Sequence, residues 1–177
     1  MTHSSETPPE PIKLPPIVNL KDVEFTLQKQ GDQYAAQHAR LGERLGSQKL
    51  GSQLVIVPPG KKAWPYHAHF VNEELFFILA GEGVLRIHDK EYLLGSGDLI
   101  SIPPGPDYAH QLINASETEE LTYLSISTME EPDILLFPES NKISVIAGTP
   151  PGGDPKNATL NFTTRLENEV DYWEGEA

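Results

Sequence analysis

Clusters of proline and glycine recur along this chain at intervals that leave room for little besides short strands. Pro58-Pro59-Gly60, Gly81-Glu82-Gly83, Gly95-Ser96-Gly97-Asp98, Pro103-Pro104-Gly105-Pro106 and Asn114-Ala115-Ser116 are turn signals, because glycine supplies positive φ and proline presets φ while removing a backbone donor. Between them lie apolar runs of strand length at 23–27, 38–45, 50–57, 75–79, 84–88, 92–94, 99–102, 111–113, 121–126, 134–137 and 143–146. Such spacing predicts an all-β sandwich or barrel. Residues 32–40 alone admit a short helix in place of a strand lead-in.

With 177 residues and 38% hydrophobic content, the chain is long enough for one domain with a real core. Residues 1–20 read as a flexible Pro-rich arm, 21–147 as the β-barrel, and 148–177 as a C-terminal loop and tail packing on it. Tyr172 and Trp173 in that tail call for a surface to pack against. The formal net charge of −13 repels phosphate backbones and anionic lipid, so no nucleic acid and no membrane partner is expected. The longest apolar run, 75–80, falls far short of the roughly 20 residues needed to cross a bilayer. No basic stretch followed by an apolar core opens the chain, and a cytoplasmic location is expected.

Cysteine is absent, which excludes thiol nucleophiles and thiolate metal sites. Any metal must therefore be held by imidazole or oxygen. His67 and His69, one residue apart, share a face if that segment is extended. Glu74 opens the next apolar run, and a bend over 70–73 would return its carboxylate from the neighbouring strand; Glu73 competes for that role. His110 begins a further run after a Pro/Gly turn. Three nitrogens and one oxygen leave positions open on a six-coordinate ion.

Gly60, six residues, His67-Ala68-His69, four residues, Glu74, six residues and Gly81 form one motif. Gly97, five residues, Pro103-Pro104-Gly105, then His110, three residues and Asn114 form a second. Together they resemble the two motifs of the cupin family, with one extra residue before His67 and two extra before His110. The resemblance implies a small antiparallel β-barrel of jelly-roll type, with His67, His69, Glu74 and His110 as ligands of one divalent transition metal ion (Fe, Mn, Ni, Co or Zn). The stretch 76–127 looks like compact single-domain bacterial cupins, some labelled sugar-phosphate isomerase.

The expected function is that of a metal-dependent enzyme acting on a small oxygenated organic molecule, either an isomerase of a sugar or sugar phosphate or a dioxygenase. In the isomerase, Glu73 is the catalytic carboxylate that moves the proton. The alternative is a non-catalytic small-molecule, carbohydrate-type binding or sensing module. Trp64, Tyr66, Phe76 and Tyr108 are candidate pocket walls, Asn114 a turn residue, and Lys61, Lys62 and Arg86 solvated charges. A homodimer is expected, since barrels of this family commonly pair through edge strands.

Overall fold

The computed structural model describes residues 17–176, so most of the arm expected over 1–20 lies outside the described residues. Strands follow one another as the turn signals require: β1 (Thr26–Gln30), β2 (Tyr34–Arg40), a helical turn α1 (Gly42–Leu45), β3 (Leu50–Val57), β4 (Ala68–His69), β5 (Glu74–Ala80), β6 (Gly83–Ile87), β7 (Lys90–Leu94), β8 (Leu99–Ile102), β9 (His110–Ile113), β10 (Leu121–Thr128), β11 (Asp133–Phe137), β12 (Lys142–Ala147) and β13 (Leu160–Arg165). The expected runs at 50–57 and 99–102 coincide with β3 and β8 from end to end.

Sheet order is β1-β2-β3-β10-β5-β8 in the largest sheet, β13-β12-β11-β4 in a second and β7-β6-β9 in a third. Neighbouring strands within these sheets run antiparallel, giving a mostly β jelly-roll-type fold. The helix admitted over 32–40 is corrected to strand β2. Its alanines suit a helix locally, but Gln37 and His38 each pair with β1 on one side and β3 on the other, and two ladders outweigh local propensity.

Alternation along the strands builds two cores. On β5, Glu74, Phe76 and Ile78 are buried while Phe77 faces out, as a period of two demands. Val55, Ile78 and Tyr123 of the large sheet pack in one cluster with Leu85, Ile87 and Leu112 of the three-stranded sheet, so these two sheets face each other. Fully burying an aliphatic side chain such as Val55 or Ile78 is worth about 1.5–3 kcal/mol. Ala39 and Leu54, of opposite parity, turn to the other face and are covered by Val18, Leu20 and Val23. The N-terminal segment from residue 17 is thus partly docked.

Turns lock the frame. Gly81 has φ +81°, and a Cβ there would strike the Glu120 carbonyl, so this position admits only glycine without a shift of backbone. Asn114 is fully buried: its Nδ2 donates to Val57 O and Glu119 O, both at 2.8 Å, and its Oδ1 accepts from Ser116 N–H. It is a structural pin. β13 extends the second sheet, but beyond it Tyr172 and Trp173 pack on each other, ring centroids 4.9 Å apart, and remain 84% and 71% exposed. No described helix is long and apolar enough to cross a membrane.

Candidate metal centre

The backbone brings the expected ligands together in pairs. His67 N–H donates to His110 O at 3.1 Å and His110 N–H donates back to His67 O at 2.8 Å. This antiparallel bridge sets the two imidazoles side by side with centroids 5.1 Å apart. His69 follows on β4, one residue beyond the fully buried Ala68, and its ring lies 5.1 Å from that of His67, the same-face placement of residues two apart on extended chain. Glu74 arrives on β5 of the large sheet, whereas β4 pairs with β11. The carboxylate therefore comes from a different sheet, and the expectation of a neighbouring-strand return is corrected.

His67, His69 and Glu74 each place a ligand atom within 4.8 Å of the others. His110 joins them through Nε2, 3.1 Å from Glu74 Oε2, and His69 Nε2 lies 3.6 Å from the same oxygen. Glu73 is elsewhere. It is exposed, its backbone N–H donates to Thr128 Oγ1 and its Oε1 accepts the Ser101 hydroxyl, each at 3.1 Å. Adjacent residues at a strand start point to opposite sides, so Glu74 enters the cluster and Glu73 does not.

Each imidazole is oriented through its other nitrogen. His67 Nδ1 meets Pro65 O at 2.8 Å, His110 Nδ1 meets Tyr108 O at 3.2 Å and His69 Nδ1 meets Asp133 Oδ2 at 2.5 Å. Oxygen acceptors at Nδ1 place the proton there and turn the Nε2 lone pair inward, the arrangement usual for metal-bound histidine. Glu74 Oε2 is buried with no aligned hydrogen-bond donor. A buried carboxylate oxygen facing imidazole lone pairs needs a cation among them. His67, His69 and Glu74 fit two nitrogen ligands and one oxygen ligand of a divalent transition metal, and His110 Nε2 lies beside the Glu74 oxygen as a further nitrogen at hand.

Electrostatics agree with that demand. Burial holds His67 down to about 4, so it is a neutral imidazole at pH 7. Burial also opposes ionisation of Glu74, but His110, His69 and His67, when they carry a proton on the facing nitrogen, outweigh it and draw the carboxyl down to about 2. Burial lowers His69, yet Asp133 and Glu74 more than compensate and leave it raised. A positive charge beside Glu74 and His69 is thus favoured, whether a proton or an ion supplies it.

The cluster opens into a cavity of about 280 Å³ between the sheets. Trp64 and Phe76 line it as expected. Tyr66 and Tyr108 instead lie outside the lining, Tyr66 beneath the Arg86 guanidinium at 4.2 Å and Tyr108 edge-on to His88 at 5.4 Å. Arg86 pairs with Glu139, and Lys61 Nζ donates to Asp32 O. Residues that no motif spacing announced also contribute: Asp133 behind His69, Tyr123, and His38, Arg40 and Gln53 on the opposite wall. Burial, and then the charge of Glu74, keeps the Tyr123 phenol protonated well above its usual range.

Residues 53–127 match the family model described as the cupin domain, a span that carries all four ligand candidates. A cupin-superfamily sugar phosphate isomerase from Silicibacter pomeroyi has a similar structure, with a TM-score of 0.72 and 21% identity over 86% of this chain and 94% of that one. So does a candidate sugar phosphate isomerase from Acidithiobacillus ferrooxidans, with a TM-score of 0.67 and 20% identity over 88% and 95%. The polyketide cyclase RemF from Streptomyces resistomycificus gives 0.56 and 21% over 66% and 82%. At these identities the likeness is one of fold, and proteins named for two different activities share it. An uncharacterized protein of Methanocaldococcus jannaschii is 39% identical over 49 residues, 28% of this chain, and the match spans only 38% of that relative's length. The family match thus assigns residues 53–127 to the cupin domain, within a jelly-roll-type fold that the similar structures share.

Proposed function

We propose that this protein holds one divalent transition metal ion between His67, His69, Glu74 and His110 and acts on a small oxygenated organic molecule. The carrying observation is the tautomer arrangement: three imidazoles with Nδ1 on fixed acceptors, around a buried Glu74 Oε2 that lacks a hydrogen-bond partner. When bound, the ion would supply a Lewis acid for a carbonyl or hydroxyl oxygen, or a redox centre if it is iron or manganese. His69 is braced by Asp133, which keeps its Nε2 aimed. The protonated Tyr123 phenol on the cavity wall can donate a hydrogen bond to an oxygenated ligand but cannot act as a base at neutral pH. The cavity volume suits a molecule of a few carbons.

Isomerisation of a sugar-type substrate and dioxygenation are the two reactions consistent with this donor set. A non-catalytic carbohydrate-binding role is the second reading, and one observation favours it: Glu74 is the only carboxylate lining the cavity among the described residues, which leaves no free carboxylate base. The deciding experiment is metal analysis by plasma mass spectrometry on untagged protein purified without chelator, then reconstitution with iron, manganese, nickel, cobalt or zinc. Uptake of one equivalent, followed by aldose–ketose exchange or oxygen consumption, supports the enzyme. Uptake without turnover supports the binding role, and no uptake of any ion overturns the proposal. We further propose a cytoplasmic protein that works as a homodimer.

A further inference from the structure

The wall of the cavity remote from the imidazoles carries His38, Arg40 and Gln53, and no motif accounts for them. Register across the large sheet defines inward-facing rows. Glu74, Ser127 and Gly51 form the row beside the metal ligands; Phe76, Ser125, Gln53 and Arg40 form the next; Ile78, Tyr123, Val55 and His38 form the third. Passing from β5 to β2 crosses three strand spacings, roughly 14 Å along the curved sheet, and the long Arg40 side chain shortens that gap. The far wall and the metal end can therefore hold the two ends of one small molecule.

Three features of that wall point to a ligand. His38 is only 9% exposed, lines the cavity, and its Nδ1 is buried with no hydrogen-bond partner. Orphaned buried nitrogens are uncommon in native proteins and call for a missing partner. Gln53, paired directly with Arg40 across the β2–β3 ladder, also lines the cavity, and its amide makes no hydrogen bond among the described residues. Arg40 lines the cavity and is held by Asp154 at 3.0 Å, so it offers donors with its charge already balanced from outside the lining. Trp64, edge-on to His38 with centroids 6.2 Å apart, adds a flat apolar surface to the same space.

An apolar ligand would strip water from these groups and return nothing. A phosphate would want two or more uncompensated cationic donors or a helix N-terminus, and apart from the neutralised Arg40 the lining carries one positive side chain, the exposed Lys156. We propose that His38, Gln53 and Arg40, its charge balanced by Asp154, form a subsite for the uncharged, polyhydroxylated segment of a sugar or polyol, with its C–H face on Trp64. The metal-end placement of the same ligand rests on the function proposed above; the subsite itself does not.

Two-dimensional NMR of the full chain, following the Trp64 indole and His38 ring signals, tests this with D-ribose and D-arabinitol as uncharged probes and ribose 5-phosphate and inorganic phosphate as charged ones. Saturable shifts with ribose and arabinitol are expected, with ribose 5-phosphate binding no tighter than ribose. His38→Phe and Gln53→Leu should each weaken ribose about fivefold or more, the effect of one lost hydrogen bond. Should His38→Phe fail to fold, Gln53→Leu at a partly buried position decides alone. No saturable shift with either uncharged probe, or affinity unchanged in Gln53→Leu, overturns the subsite. Ribose 5-phosphate binding more than tenfold tighter than ribose, with that gain lost in Lys156→Ala, overturns its uncharged character. Ion uptake measured on the same samples separates the two proposals: uptake without polyol binding sinks only the subsite, and polyol binding without uptake sinks only the metal centre.

Discussion

Asp133 Oδ2 lies 2.5 Å from His69 Nδ1, although 64 residues separate them in the chain. The contact exists because β11 pairs with β4, placing Leu135 opposite His69 and Asp133 behind it. Asp133 is 5% exposed and its other oxygen has no partner, so the carboxylate is committed to orienting this one ring. Asp133→Ala should weaken metal binding by about 10–100-fold, read by competition with a chromophoric chelator. Unaltered affinity would remove Asp133 from the positioning role.

Glu73 and Glu74 are adjacent yet face opposite environments. Glu74→Ala and His67→Ala should abolish stoichiometric metal while the far-UV circular dichroism stays native, and Glu73→Ala should leave metal content as in the wild type. A fall in metal content for Glu73→Ala, or none for Glu74→Ala, would reverse the assignment.

An ion held by the proposed site, preformed in the folded chain, should raise the melting temperature. At a hundredfold excess over Kd the linkage amounts to about 2.7 kcal/mol. Thermal melts with and without zinc or nickel test this, and a gain that persisted in Glu74→Ala would locate the ion elsewhere.

His38 links the far wall to pH. Burial, then the charge of Arg40, holds its imidazole below the ordinary 6.5, with Lys156 acting alike and Asp154 opposing. The unfolded chain thus takes up this proton first as pH falls. The stability that neutral His38 contributes is complete above about 6.5 and declines below it, until the folded-state imidazole protonates as well. Urea unfolding at about pH 7.5 and about pH 5.5 should show a smaller acid loss in His38→Gln than in the wild type. Parallel losses would show that this group carries no such linkage.

Gly152 has φ +64°, and a Cβ there would come within 2.6 Å of Gly42 C. The loop that carries Asp154 to Arg40 leans on this close approach. Gly152→Ala should cost about 1–3 kcal/mol and lower the melting temperature by about 3–10 °C. An unchanged melt would mean that the loop is not fixed by this contact.

The proposed homodimer has its own check. Leu93 and Leu99 are exposed on β7 and on the edge strand β8, apolar positions that a second copy could cover. Light scattering after gel filtration should give about twice 19.6 kDa; a mass near 19.6 kDa would refute the dimer.

Strand positions and most of the ligand set were legible in the sequence because their determinants are local. Turn residues bound each run, a period of two turns Glu74, Phe76 and Ile78 inward, and His67-Ala68-His69 carries its chelating geometry in its own spacing. The helix admitted over 32–40 failed for the complementary reason: alanine-rich local propensity yields to ladders on both sides of β2. β13 escaped notice because its residues are largely exposed and carry no buried stripe. Tertiary structure alone decided that Glu74 reaches the imidazoles from a different sheet while Glu73 stays outside. It also decided that Asp133 stands behind His69 and that His38, Gln53 and Arg40 face the metal end across the cavity. These are pairings between strands far apart in the chain, and long-range register is set by which faces the whole fold buries, a quantity that no local window contains.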